Sequence, residues 1–151
     1  MDDTIWHKVA VKFDLEKKLT EMAAKLCVKN IAIYGEVVPA QIRAGKIFDY
    51  GYSKEEVGFI AFDLRIGVVG DTYLSQLETK TICEKYNIPF TPVLYSGSFS
   101  KEVLNLRSGN STLSNKHLRE GIVIQPLLPR YHQRLGRVIL KKKNEDFLLI
   151  E

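Results

Sequence analysis

The sequence predicts an α+β fold, in which helices and β-sheets contribute to one domain. Runs of β-branched and aromatic residues at positions 31–38, 57–66 and 119–143 are typical of strands. Apolar residues at helical spacing after Asp14, and again within residues 75–86, are typical of amphipathic helices. With 151 residues, 45% of them apolar and 26% charged, the chain is long enough for one domain with a hydrophobic core.

The N-terminal segment is predicted to lead into the first helix. Residues 5–13 have the pattern of a short strand or extended segment. Asp14 is a residue type that favours a helix N-cap, so we expect a helix from there to about Leu26. The apolar residues that recur at helical spacing within it are Leu15, Leu19, Met22 and Leu26.

The first long strand is predicted at residues 31–38, where alternation places Tyr34, Glu36 and Val38 on one face. A carboxylate in so apolar a strand is costly to bury unless it is paired or bound. Glu36 therefore either contacts a ligand or reaches solvent at the end of the strand. The polar segment 41–52, which contains Gly45 and Gly51, is predicted to be a loop.

The second long strand is predicted at residues 57–66. Its aromatic residue Phe62 has two alternatives, a core position or a stacking platform for a base. Strict alternation would place Phe59, Ala61 and Asp63 on one face and Ile60, Phe62 and Leu64 on the other.

The middle of the chain is predicted to form a turn at 67–71 and a helix at 75–86. The positions expected to be buried in that helix are Leu77, Ile82 and Tyr86. Two prolines in residues 87–92 end the helix. A short strand at 93–95 and a two-turn helix containing Phe99, Val103 and Leu106 are expected next, followed by a loop at 107–116.

Two short β-branched runs, at 119–126 and 137–143, are the segments on which a site can be built. By alternation Glu120 shares a face with Ile122 and Ile124. Lys141 and Lys143 share a face as well, and Lys142 points the other way. One carboxylate beside two ammonium groups predicts a site for phosphate and a metal ion.

Charge and cysteine content narrow the functional classes. The net charge of +4 permits a phosphate-rich partner without requiring one. Cys27 and Cys83 fit neither a disulfide framework nor a metal motif, so a cytoplasmic protein with reduced thiols is expected. We expect neither a signal peptide nor a membrane partner. The three histidines lack metal-ligand spacing, and Arg130, Arg134 and Arg137 either follow a nucleic-acid backbone or form a solvated basic loop.

Four motifs, taken in order, resemble those of the covalent nucleotidyltransferases, which include ATP-dependent ligases and capping enzymes. The resemblance is closest to RNA ligases of the phage T4 RNA ligase 2 type. The similar segments begin at Tyr34 (Tyr-Gly-Glu-Val-Val), Phe59 (Phe-Ile-Ala-Phe-Asp-Leu), Arg119 (Arg-Glu-Gly-Ile-Val-Ile) and Arg137 (Arg-Val-Ile-Leu-Lys-Lys-Lys). This resemblance implies antiparallel sheets with flanking helices around a ligase-type, ATP-grasp-like nucleotidyltransferase core that is incomplete.

The resemblance also implies a role for each candidate site residue. Glu36 would contact the ribose of ATP or AMP, and Phe62 would stack on adenine. Glu120 would hold Mg²⁺ or Mn²⁺, while Lys141 and Lys143 would contact the α-phosphate. Family members join the 5′-phosphate and 3′-hydroxyl ends of RNA through an adenylylated lysine, so RNA ends are the expected partner.

The chain departs from the family at the nucleophile. No Lys-x-Asp/Glu-Gly tetrapeptide occurs in it, because Lys8 and Lys12 both lack the glycine, and Gln125 stands where some relatives have a basic residue. Residues 1–151 are therefore expected to be a partial domain, with an N-terminal segment or a separate chain as a further partner. The alternatives are a DNA ligase or capping-type enzyme, and a non-catalytic module that binds nucleotides or nucleic acid.

Overall fold

The computed structural model describes residues 4–38, 41–43, 46–48, 50, 56–67 and 71–149. The helices are α1 (Ile5–Lys12), α2 (Leu15–Lys25), α3 (Gln76–Lys85), α4 (Glu145–Leu148) and a 3₁₀ helix (Lys101–Arg107). The strands in the first half are β1 (Asn30–Val38), β2 (Gln41–Arg43), β3 (Lys46–Phe48), β4 (Gly58–Gly67) and β5 (Asp71–Tyr73). Those in the second half are β6 (Gly121–Ile124), β7 (Tyr131–His132), β8 (Gly136–Arg137) and β9 (Leu140–Lys143). The fold is α+β, as the sequence predicts.

The strands form one sheet of three strands, in the order β1-β4-β5, and three two-stranded sheets. The pairs β2-β3, β6-β9 and β7-β8 are antiparallel, like the pairings within the larger sheet. The expected antiparallel arrangement is therefore confirmed for the described residues.

The hydrophobic core lies between the larger sheet and the first three helices. Its buried members are Val9, Leu15, Met22, Val37, Phe59, Ala61, Cys83 and Ile88. Burial raises the pKa of the Cys83 thiol to about 11, so this cysteine is a packing residue rather than a nucleophile. In the described part of the chain, no helix is long and apolar enough to cross a membrane.

The prediction of a strand at residues 5–13 is wrong, because this segment forms helix α1. The Thr4 hydroxyl accepts a hydrogen bond from the His7 amide, which caps the helix, and Val9 is buried against the core. The helix predicted after Asp14 is confirmed as α2. Asp14 precedes it in the left-handed region (φ 51°, ψ 43°) and its side chain makes no capping bond. It serves as the bend between the two helices, a conformation that aspartate tolerates better than most residues.

Two expectations in the middle of the chain need correction, and a third is not tested. The predicted loop at 41–52 contains the β2-β3 hairpin, and its remaining residues lie mostly outside the described part of the chain. No strand forms at 93–95, since the backbone hydrogen bonds are made earlier: Ala61 accepts from the Thr91 amide and donates to the Pro89 carbonyl, both at 2.8 Å. The predicted turn at 67–71 lies largely outside the described residues, and its last residue begins β5.

Helix α3 is confirmed, and Ile82 and Tyr86 are partly buried against the core as expected, but its fully buried positions are others. Ser75 caps it in a capping box with Glu78. Ser75, Thr79 and Cys83, spaced four apart, are buried, whereas Leu77 is 64% exposed. The short helix expected around Val103 is confirmed as a 3₁₀ helix that excludes Phe99.

Candidate functional site

A bulge in the pairing of β1 with β4 determines which residues face the candidate site. Tyr34 pairs with Asp63 and Gly35 with Ala61, so Phe62 is an extra residue in β4. Glu36 pairs with Ile60 and lies on the same face as Tyr34. It follows that Phe62, two residues after Ile60, shares that face with Asp63.

The strict alternation predicted for residues 59–64 is therefore wrong at this point. One additional residue reverses the face of every side chain that follows it. As a result, Asp63 lies on the same face of the sheet as Glu36 and Phe62. The side chains of Glu36 and Phe62 are exposed, Phe62 at 40%. Phe62 is thus a surface aromatic rather than a core residue.

Asp63 is the buried charge at the centre of this face. Its carboxylate accepts two hydrogen bonds of 2.7 Å from the guanidinium of Arg137 on β8, one to each oxygen. Gln76 at the start of α3 donates a further bond of 3.0 Å to Oδ1. Arg137 also donates to Oε1 of Gln125 at 3.2 Å, and its bonds to Asp63 raise its pKa above the ordinary value.

An aromatic layer covers the same ion pair. The Arg137 guanidinium lies 3.8 Å from the centre of the Tyr73 ring, which is a cation–π contact. The rings of Tyr73 and Tyr34 are 5.7 Å apart. Burial, and then the hydrogen bond with Tyr34, raises the pKa of Tyr73 above 10.0, so the phenol is neutral at physiological pH.

The side chain of Arg137 is 14% exposed and is bonded to Asp63. Both alternatives that the sequence left open, contact with a nucleic-acid backbone and a solvated loop position, are therefore wrong for this arginine. It joins β8 to the larger sheet. The signal that was available is Asp63 itself, an acid in an apolar strand, which requires a partner when it is buried. Arg137 follows Asp63 by 74 positions, so no local sequence pattern identifies it as the partner.

Strand β9, which carries Lys141, Lys142 and Lys143, forms a second side of the candidate site. The segment expected as one strand at 137–143 is divided into β8 and β9, and β9 pairs with β6. Lys141 is opposite Val123 and Lys143 is opposite Gly121, and both lysines are exposed. Lys142 is opposite the buried Ile122 and donates to Glu145 at 2.8 Å. The structure thus separates Lys142 from the other two, as alternation predicts.

Glu120 lies immediately before β6, beside the pair that Gly121 forms with Lys143. Its carbonyl accepts a 2.8 Å bond from the amide of Asn144, and its side chain is exposed. Gly121 has φ +154°, and a Cβ there would lie 2.3 Å from the Lys142 carbonyl oxygen. Only glycine permits this close approach of the two strands, so Gly121 determines where Glu120 lies relative to Lys143.

A polar network supports this end of the site. Asn144 is buried, donates to the Arg119 carbonyl at 3.0 Å and caps α4. Glu145 accepts bonds of 2.8 Å from Lys142 and Arg107, and these bonds lower its pKa to about 2. Through Glu145 the network connects β9 with the 3₁₀ helix.

A divalent metal ion in this site would need acidic side chains of the protein as ligands. Within the described ranges, no three His, Cys, Asp or Glu side chains form a group that could hold a metal ion. Mg²⁺ often takes only one or two protein carboxylates and completes its shell with substrate phosphates and water. The exposed carboxylate of Glu120, immediately before β6, fits that mode of binding.

The fold and these motif positions define a ligase-type nucleotidyltransferase domain. The RNA ligase family model matches residues 3–143, so the chain belongs to the RNA ligase family. No match was found among curated proteins.

Solved structures of Naegleria gruberi RNA ligase share the fold. A variant with ATP and Mn matches with a TM-score of 0.70 and 18% identity, over 97% of this chain and 40% of that chain. A variant with AMP and Mn matches with a TM-score of 0.68 and 19% identity over the same shares. The enzyme with PPi matches with a TM-score of 0.65 and 20% identity, again over 97% of this chain and 40% of that chain. This chain therefore spans about two-fifths of those enzymes.

Proposed function

We propose that this chain forms part of the nucleotidyltransferase site of an RNA ligase. It would bind ATP or AMP with Mg²⁺ or Mn²⁺ and, once the site is complete, join 5′-phosphate and 3′-hydroxyl RNA ends through an adenylylated intermediate. The observation that carries the proposal is that an exposed aromatic, Phe62, shares the sheet face of Glu36 in a member of the RNA ligase family.

The residues suit their proposed tasks. The exposed ring of Phe62 offers an apolar face on which adenine stacks. The carboxylate of Glu36 accepts hydrogen bonds from the ribose hydroxyls. Lys141 and Lys143 carry ammonium groups that face solvent on one side of β9, where they stabilise negative charge on the phosphate oxygens.

Glu120 is the proposed metal ligand. A divalent ion held there would neutralise part of the phosphate charge during phosphoryl transfer. The chain's own part would be to present the exposed carboxylate of Glu120 at the start of β6, whose first residue pairs with Lys143. Glu120 would hold the ion, while Lys141 and Lys143 would contact the phosphate oxygens themselves.

The nucleophilic lysine is proposed to lie outside these 151 residues, since no Lys-x-Asp/Glu-Gly occurs within them. We therefore propose that residues 1–151 are one part of a nucleotidyltransferase domain. A further segment or a separate chain would complete it. The same absence supports the second candidate, a module that binds nucleotide and RNA ends without forming the covalent bond.

A cytoplasmic location is part of the proposal. Both cysteines are free, and Cys27 is exposed. An exposed thiol persists in a reducing compartment, which supports the intracellular assignment.

Calorimetric titration of ATP with Mg²⁺ tests the proposal. Lys141→Ala and Lys143→Ala each remove a charge-assisted hydrogen bond, so affinity should fall about ten- to a hundredfold. Phe62→Ala should weaken binding in the same direction by loss of stacking. Lys142→Ala is the matched control, because this lysine is on the other face and pairs with Glu145. Equal affinities across the three lysine variants would exclude the phosphate role.

A further inference from the structure

The region from residue 121 to residue 144 contains no aspartate or glutamate. Its basic residues are Arg130, Arg134, Arg137, Lys141, Lys142 and Lys143. Two of these charges are compensated, Arg137 by Asp63 and Lys142 by Glu145. The other four are exposed, and no ion pair is recorded for them among the described residues. Lys141 and Lys143 have a proposed role at the nucleotide, which leaves Arg130 and Arg134 unexplained.

Arg130 and Arg134 belong to the β7-β8 hairpin. In this hairpin Tyr131 pairs with Arg137 and His132 with Gly136, and the Val138 amide donates to the Arg130 carbonyl at 2.9 Å. Arg137 at its base is bonded to Asp63, so the hairpin is attached to the site face of the larger sheet. The hairpin is therefore a fixed projection beside the site.

Tyr131 gives the hairpin an aromatic surface. Its side chain is 61% exposed, so the aromatic ring does not gain the free energy that burial of its apolar surface would give. As the cross-strand neighbour of Arg137, it stands on the hairpin face that carries that arginine. The ring is therefore exposed to solvent on the same hairpin face as Arg137, the partner of Asp63. The exposed Arg130 precedes it in sequence, and the exposed Arg134 follows it.

We propose that this hairpin binds a single-stranded segment of the RNA substrate. Tyr131 stacks on a base, while Arg130 and Arg134 contact backbone phosphates. Exposed aromatics combined with unpaired cations are the features by which proteins hold single strands without reading their sequence. The inference deepens the proposed function, since it names the surface that guides an RNA end towards Lys141 and Lys143.

The experiment measures the fluorescence anisotropy of a short, labelled, 5′-phosphorylated single-stranded RNA titrated with the 151-residue chain, without ATP. Tyr131→Ala should weaken RNA binding about fivefold or more, and Tyr131→Phe should restore it, because stacking needs the ring and not the hydroxyl. The slope of log K against log salt is negative, and each phosphate contact on a single strand contributes about 0.7 to its magnitude. The double variant Arg130→Ala/Arg134→Ala should therefore reduce that magnitude by about 1.4.

The matched control is the double variant Lys17→Ala/Lys85→Ala, which removes the same charge from exposed positions on α2 and α3. Its salt slope should equal that of the unmodified chain. Equal slopes for both double variants, or unchanged affinity in Tyr131→Ala, would overturn the proposal. Calorimetric ATP binding is measured on the same variants and should not change. Absent ATP binding together with intact, hairpin-dependent RNA binding would contradict the proposed function alone.

Discussion

The guanidinium of Arg137 donates two hydrogen bonds of 2.7 Å to the carboxylate of Asp63, which lies 74 residues earlier in the chain. Both side chains are largely buried, at 14% and 8% exposure. The pair connects the sheet that carries Glu36 and Phe62 with the hairpin that leads into β9. The positions of the proposed base-binding and phosphate-binding residues are therefore coupled through one ion pair.

Breaking this ion pair should destabilise the protein strongly. Arg137→Ala leaves the Asp63 carboxylate buried without its partner, a loss of about 3 kcal/mol in the free energy of unfolding. Arg134→Ala, which removes an exposed arginine of the same hairpin, should change it by less than about 0.5 kcal/mol. Urea unfolding measures both. In a double-mutant cycle Asp63→Ala and Arg137→Ala should be far from additive, whereas additive losses would show that the two side chains do not stabilise each other.

The local elements of this fold could be predicted from the sequence because their signals are local. Helix α2 follows apolar spacing, helix α3 begins at a capping serine, and β1 and β4 are long β-branched runs. Helix α1 could not be predicted in this way, since its valines favour a strand and only the Thr4 cap and the burial of Val9 decide for a helix.

The candidate site was predictable in part. The separation of Lys142 from Lys141 and Lys143 follows from a period of two, and the structure agrees. The faces of Asp63 and Leu64 could not be derived, because a single inserted residue reverses the alternation after Phe62 and leaves no mark in composition. The nucleotide and metal roles of these residues stay predictions until binding is measured.

Replacing Gly121 should separate β6 from β9. In Gly121→Ala the new Cβ meets the Lys142 carbonyl oxygen at 2.3 Å, and the backbone has φ +154°. We expect a loss of about 1–3 kcal/mol in unfolding free energy from the clash alone. Gly109→Ala is the control for backbone strain, since Gly109 also has positive φ (+97°) but nothing lies within 4 Å of its added Cβ. Equal losses in the two variants would attribute the effect to backbone conformation instead of strand contact.

The Glu145 network predicts a change of stability in acid. The pKa of this carboxyl is lowered from 4.5 to about 2 by its bonds to Lys142 and Arg107, so the folded state favours the charged form. Its contribution to stability is fully present above pH 4.5 and is lost as the pH falls towards 2. Unfolding of the unmodified chain and of Glu145→Gln should therefore differ at pH 6 and converge near pH 2.

The carboxylate is exposed, so that difference should also shrink at high salt. Lys142→Ala offers an independent check, because removing this donor should raise the pKa of Glu145 measured by NMR titration. A Glu145 pKa that is the same in Lys142→Ala as in the unmodified chain would show that the bond contributes nothing to the charged form.

The 151-residue chain should bind ATP without forming a covalent AMP adduct. A lysine becomes a nucleophile when burial or a neighbouring group lowers its pKa, and the family's Lys-x-Asp/Glu-Gly segment is absent here. The Lys12 ammonium, one of the two motif-like candidates, donates to the Val57 carbonyl at 2.8 Å, so it is engaged in attaching α1 to the start of β4. Incubation with labelled ATP and Mg²⁺, followed by denaturing electrophoresis, should give no labelled band, while an intact ATP-dependent RNA ligase treated in parallel should give one. A band that disappears in Lys12→Ala would identify Lys12 as the nucleophile and make this chain an adenylylating enzyme by itself. A chain that binds ATP but gives no band would match a site that holds the nucleotide and receives its nucleophile from elsewhere.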